Sequence, residues 1–188
     1  MRRNQKVPKN LKVPQAAREI VRLLAAGGKN IAAAESCTAG LAADLIARVP
    51  GASRVFWGSF VTYSADAKVR MLGVSGELLE KEGAVSCGTA LAMAEGALKK
   101  SGAYLAFSIT GLAGPAGDGS ETPVGTVWIG IAEKSGENGV QSGAKLFRFS
   151  GSRNEVREAA AKAALKEVLE KILELTHGIT QERPKTNS

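Results

Sequence analysis

The strongest constraint on this chain is an alternation of helix-period stretches with short buried strands, with glycine or proline at many of the junctions. From Pro14 to Ala26, the residues Ala17, Ile20, Val21 and Leu24 recur at helical spacing, and Gly27-Gly28 stops the pattern. Asn30 to Glu35 reads as a short buried strand, and Thr38 to Val49 as a helix closed by Pro50-Gly51. "SRVFWGSFVTYS" is rich in β-branched and aromatic residues and predicts a strand. Ser64 can cap a short helix, Ala65 to Leu72, ended by Gly73, and a second short helix follows Ser75. Ser86 caps a longer helix to Lys100, with an expected apolar face of Cys87, Leu91, Ala94 and Leu98. "AYLAFSIT" is another buried strand, and "VGTVWIGIAE" and "GAKLFRFS" flank "KSGENG" as a hairpin.

The last helix is expected from about Asn154 to Thr176, with Gly178 as its stop. His177 near its end suits the helix dipole. Its stripe of Leu165, Val168, Leu169, Ile172 and Leu173 points to core packing, with a dimer seam as the alternative. Glu158 with Lys162, and Glu167 with Lys171, stand at i,i+4 spacing. This alternation of helices and buried strands, with a late hairpin, predicts the α/β class: a single three-layer α/β/α domain with a mixed β-sheet. In such sheets ligands bind at the carboxyl ends of strands.

Charge divides the chain. Residues 1–12 carry Arg2, Arg3, Lys6, Lys9 and Lys12 and no acid, which is +5 of the net +7. Residues 1–13 are expected to be a basic disordered leader, 14–178 the folded domain and 179–188 a disordered tail. The leader could touch nucleic acid, but the body carries no charge pattern for specific nucleic-acid binding. No apolar run approaches the roughly 20 residues that span a membrane, so a membrane partner is not expected. Cys37 and Cys87 are far apart and form no metal-type pair, which suggests a reducing, cytoplasmic setting. With His177 the only histidine, neither a Ser-His-Asp triad nor a zinc site is expected. Neither metal nor cofactor is called for.

Three stretches at predicted strand ends carry the chemistry. In "ESCTAG", Ser36 is a candidate nucleophile, or an ordinary helix cap. The amides of Thr38, Ala39 and Gly40 would be free helix-start donors for an oxyanion. Glu35 suits the helix start and takes no chemical role. Cys37 is a variant nucleophile without an activating histidine. In "TYSADAK", Lys68 lies at the positive end of a helix dipole, where burial would favour its neutral form. A neutral Lys68 could take the Ser36 proton, with Tyr63 relaying or orienting it. The third stretch, "TGLAGPAGDGSETPVGT", is glycine-rich but is not a P-loop, and its amides could cradle an anion. Thr110 could add a hydroxyl there. Arg153, at the start of the last helix, fits a phosphate clamp.

Together, "ESCTAG", "VTYSADAKVRMLGV", "GAVSCGTALAMAEGA", "TGLAGPAG…TPVGTVWIGIA" and "RFSGSRNEVREAA" resemble the CinA C-terminal domain family, the nicotinamide mononucleotide deamidases, over about residues 15–175. The resemblance implies metal-independent hydrolysis of the nicotinamide amide, giving nicotinic acid mononucleotide and ammonia. It places Ser36, Tyr63 and Lys68 on catalytic positions. Thr110 and Arg153 fall on the substrate pocket, with Thr38, Ala39, Gly40, Gly111 and Gly114 around it. Ala39 stands where that family usually has a glycine, which would crowd the amide cradle. Many members carry a further N-terminal domain, so this chain is expected to be a stand-alone form, and a homodimer. The competing function is a nucleotide-phosphate binding module without turnover.

Overall fold

A computed structural model describes residues 13–136 and 139–181. Five strands form one sheet in the order β2-β1-β3-β4-β5. β1 (Ile31–Glu35) pairs in parallel with both β2 (Phe56–Val61) and β3 (Leu105–Gly111). β3 then pairs antiparallel with β4 (Thr126–Ser135), and β4 with β5 (Gly139–Arg148). The sheet is therefore mixed, and it lies between two helical layers, as the pattern predicts. β1 is buried at every position and β3 at all but its last, because helices cover both of their faces.

One layer contains α1 (Val13–Ala26), α2 (Leu41–Ala47) and α6 (Arg153–Gln181). Its core joins Ile20 and Leu24 to Phe107, Ile129, Leu165, Val168 and Leu169. Leu165, Val168, Leu169 and Ile172 are buried in that core, with Leu173 packed against it, so the stripe is used within the chain and is not a dimer seam. Val13 opens α1 instead of belonging to a leader, and α6 continues through Gly178 to Gln181. A single helical glycine costs only about 1 kcal/mol, too little to end a helix by itself. The rest of the leader and residues 182–188 lie outside the described residues. Glu158 and Lys162 pair at 3.1 Å. Glu167 and Lys171 do not pair with each other: Glu167 meets Lys145 of β5, and Lys171 meets the buried Glu133 of β4. Among the described residues no helix is long and apolar enough to cross a membrane.

The other layer contains α4 (Gly76–Glu82), α5 (Cys87–Ser101) and the segment carrying Lys68. The buried face of α5 is Ala90, Met93, Ala94, Ala97 and Leu98, whereas Cys87 and Leu91 are only partly covered. Small residues dominate that face because the helix backbone sits close to the sheet and to its neighbour. A Cβ at Gly96 would land on the Leu72 carbonyl oxygen. Leu72 ends a wide helical turn, Lys68–Leu72, that continues α3 (Ala65–Ala67). Gly96 thus permits the approach that seats the lysine turn. Gly96→Ala gains about 1 kcal/mol of helix propensity. It must also move backbone in a packed layer, a cost of about 1–3 kcal/mol. We expect the second effect to win, lowering the urea midpoint of unfolding; an unchanged or raised midpoint would contradict this packing.

Candidate active site

β1 ends on Glu35, which is fully buried. A carboxylate in that position must collect donors or unfold the region. Its oxygens accept from the Thr38 hydroxyl at 2.7 Å, the amides of Gly40, Ala42 and Ala43 at 3.0, 3.2 and 2.9 Å, and the Ser59 hydroxyl at 3.3 Å. Glu35 is therefore the anion at the start of α2, supplied from the preceding strand.

This corrects the expected amide cradle. α2 begins at Leu41, not Thr38, because the intervening residues form a turn around Glu35. The Gly40 amide is taken by Glu35, and the Ala39 amide donates to the Ser36 carbonyl at 3.1 Å. Thr38 is fully buried. The Ala39 and Gly40 amides are thus not free donors facing a ligand, whereas the Thr38 amide donates to no backbone carbonyl among the described residues. Ala39 has a φ of 51° and Gly40 of 96°, two left-handed residues in succession. Such a conformation costs an alanine roughly 1 kcal/mol. The effect of alanine here is thus backbone strain.

Ser36 stands at the head of this turn. The Lys68 ammonium donates to Ser36 Oγ at 3.0 Å and to the Thr62 carbonyl at 2.9 Å. Lys68 is 1% exposed, and burial lowers its pKa to about 8, with a small opposing pull from the Cys37 sulfur. Cys37 shows the reverse: burial pushes its thiol up to about 11, which leaves it protonated and a poor nucleophile at neutral pH.

Tyr63 is exposed, and its hydroxyl accepts from Arg153 Nη2 at 2.5 Å. The hydrogen bonds of Lys68 go to Ser36 and Thr62, and that of the Tyr63 phenol to Arg153, so the structure shows no direct hydrogen bond for the expected proton relay. Arg153 Nη1 donates to the Gly114 carbonyl at 2.6 Å, so the exposed arginine ties the end of β2 to the glycine-rich loop. Thr110 is buried and its hydroxyl donates to the Ala84 carbonyl at 2.6 Å. It braces the segment before α5 instead of offering a free hydroxyl. Gly111 lies against β4, where a Cβ would crowd Val127 and the Thr126 carbonyl. Sequence reasoning passed over Arg157. Its Nε and Nη2 donate to the carbonyls of Cys37 and Thr38 at 3.0 and 3.2 Å. The i,i+4 spacing from Arg153 was the available signal.

Residues 14–172 match the model of the family described as the CinA C-terminal domain. The chain belongs to the CinA C-terminal domain family. It is 49% identical over 154 residues to a putative competence-damage inducible protein of Caldicellulosiruptor saccharolyticus, covering 82% of this chain and 36% of that one. A CinA-like protein of Chlorobium limicola is 45% identical over 146 residues, covering 78% and 34%. The chain thus spans about a third of the length of the curated relatives it matches. Among solved structures, the competence damage-inducible protein A of Klebsiella pneumoniae is 32% identical with a TM-score of 0.82, covering 89% of this chain and 99% of its own. The competence/damage inducible protein CihA of Agrobacterium tumefaciens is 40% identical with a TM-score of 0.76, covering 85% and 94%. The CinA fold accordingly carries the Ser36–Lys68 pair in this chain.

Glu35→Gln tests the buried anion. Its amide nitrogen must face donor groups, and one of the α2 amides loses its acceptor. We expect a loss of about 3 kcal/mol in unfolding free energy, within the range for breaking a buried charged interaction. A substitution that leaves chemical denaturation unchanged would contradict the capping role.

Proposed function

We propose that this chain is an amidohydrolase that uses Ser36 and Lys68, acting on the carboxamide of nicotinamide mononucleotide. The observation that carries the chemistry is the 3.0 Å contact between Ser36 Oγ and the Nζ of a buried lysine whose pKa is lowered to about 8. A lysine in water at pH 7 is protonated almost completely. Near pH 8 about half of the Lys68 population is neutral and able to act as a base.

In the neutral form Lys68 keeps an N–H on the Thr62 carbonyl, which leaves its lone pair to the Ser36 hydroxyl. Lys68 takes the hydroxyl proton as Ser36 Oγ attacks the amide carbon. The amides of Cys37 and Thr38 donate to no backbone carbonyl among the described residues, and the oxyanion is assigned to these turn amides. The lysine ammonium returns its proton to the leaving nitrogen, and ammonia departs from the acyl-enzyme. Lys68 then deprotonates a water that attacks the ester. Ser36 recovers its proton, and the acid product leaves as a carboxylate. The steps use a side-chain nucleophile and base and call on no metal.

The pyridine nucleotide substrate is supported by the family resemblance, and by Arg153, an exposed guanidinium beside the glycine-rich loop, suited to a phosphate. Ammonia release from nicotinamide mononucleotide in the presence of EDTA tests this reading. Ser36→Ala and Lys68→Ala are each expected to lower turnover by about 100-fold or more with the fold retained. Wild-type turnover in either variant would remove its assigned role.

The pH dependence follows from Lys68. Its folded pKa lies below the usual lysine value, so the base form is lost as pH falls through about 8. kcat/KM is expected to rise with pH through a midpoint near that value and then level off. A rate that is flat from pH 6 to 10 would mean that Lys68 is not the base.

A further inference from the structure

We infer that Arg157 is a positioning residue for the nucleophile, the acceptor-side half of a clamp on a strained turn; the inference rests on the Ser36–Lys68 reading. The turn from Ser36 to Gly40 contains two successive left-handed residues, Ala39 and Gly40. A non-glycine residue persists in that conformation only where its surroundings over-determine it. On the donor side, Glu35 gathers the Thr38 hydroxyl and the amides that follow. On the acceptor side, the Arg157 fork takes two consecutive carbonyls, Cys37 and Thr38, through Nε and Nη2. Its Nη1 donates to Asn154 Oδ1 at 3.1 Å, which fixes the guanidinium on α6.

The two halves act on different atoms. Glu35 secures the start of α2, downstream of Ser36. Arg157 holds the carbonyls of the two residues that directly follow Ser36, Cys37 and Thr38. The Ser36 backbone is itself tied at its amide, which donates to the Ile109 carbonyl of β3 at 2.9 Å. With its amide on β3 and the following peptides on α6, Ser36 keeps its Oγ within reach of Lys68, which arrives from the opposite layer. The Thr38 carbonyl also accepts from the Leu41 amide at 3.2 Å, whereas the Cys37 carbonyl, nearer Ser36, accepts from Arg157, and a planar fork reaches both at once.

The test uses the full chain and two readouts. One is labelling of Ser36 by a fluorophosphonate, followed by intact mass. The other is kcat and KM for nicotinamide mononucleotide. Arg157→Met keeps the aliphatic stem and removes the donors. It is expected to slow both labelling and kcat by about 100-fold, the penalty for a displaced reacting group, with KM little changed and cooperative thermal unfolding retained. Arg157→Lys, able to hold one carbonyl at a time, is expected to fall between this variant and wild type. Glu158→Gln, which alters an exposed pair with Lys162 on the same helix, serves as the control and is expected to label at the wild-type rate. Wild-type labelling in either Arg157 variant would overturn the assignment. If Arg157→Met loses cooperative unfolding, Arg157→Lys decides: slowed labelling at a native melting point supports the clamp, and wild-type labelling overturns it. A wild-type protein that labels but releases no ammonia, with labelling lost in Arg157→Met, upholds the clamp and removes the proposed substrate. A wild-type Ser36 that does not label removes both.

Discussion

A buried carboxylate organises this molecule. Among the described residues Glu35 has no cationic partner; hydroxyls and main-chain amides satisfy it instead. That choice of partners has geometric consequences that an arginine would not impose. Amides can converge on one side chain only if the chain wraps around it, so the residues after β1 curl into a turn before α2 starts. The wrap forces Ala39 and Gly40 into the left-handed region and leaves Ser36 at the mouth of the turn, where its hydroxyl meets Lys68.

The same arrangement keeps two opposite charges from cancelling. A carboxylate within a few ångströms of Lys68 would hold it protonated and raise its pKa. Glu35 is next in sequence to the Lys68 partner, yet its oxygens are committed to α2 and Ser59. Lys68 enters through the other helical layer and experiences burial as the dominant influence. The base therefore depends on where the neighbouring acid points. Gly96 belongs to the same design at longer range, since it admits the Lys68–Leu72 turn against α5.

Element order, sheet type and the convergence of Ser36 with Lys68 were all legible in the sequence. Each depends on periodicity, on turn residues and on the rule that strand ends gather chemistry. What escaped depends on side-chain direction. Ser36 looks like a cap and Thr38 like the first helical residue, but the cap is Glu35, and the difference shifts the helix start by three residues to Leu41. Tyr63 sits at the expected strand end, yet its ring turns to Arg153. On α5 the expected face of Cys87, Leu91, Ala94 and Leu98 holds at Ala94 and Leu98, while Cys87 and Leu91 are only partly covered and Ala90, Met93 and Ala97 complete the buried face; close packing against the sheet favours the small residues. Lys171 had an apparent partner one helical turn away and instead neutralises the buried Glu133, where a charge costs more to leave alone.

Burial also explains why the site tolerates its own costs. Keeping a lysine with a pKa near 8 in the interior disfavours its charged form by a few kcal/mol relative to water, at about 1.36 kcal/mol per pKa unit. The left-handed alanine adds roughly 1 kcal/mol more. Both penalties fall within a few residues of Ser36, and neither is relieved by the groups that carry the proposed chemistry. They are offset from outside the reacting pair: by the amides gathered on Glu35, by the fork of Arg157 and by the alanine-lined contact between α5 and the sheet. Local strain and a neutralised base can coexist in one small domain because different layers of the fold hold them.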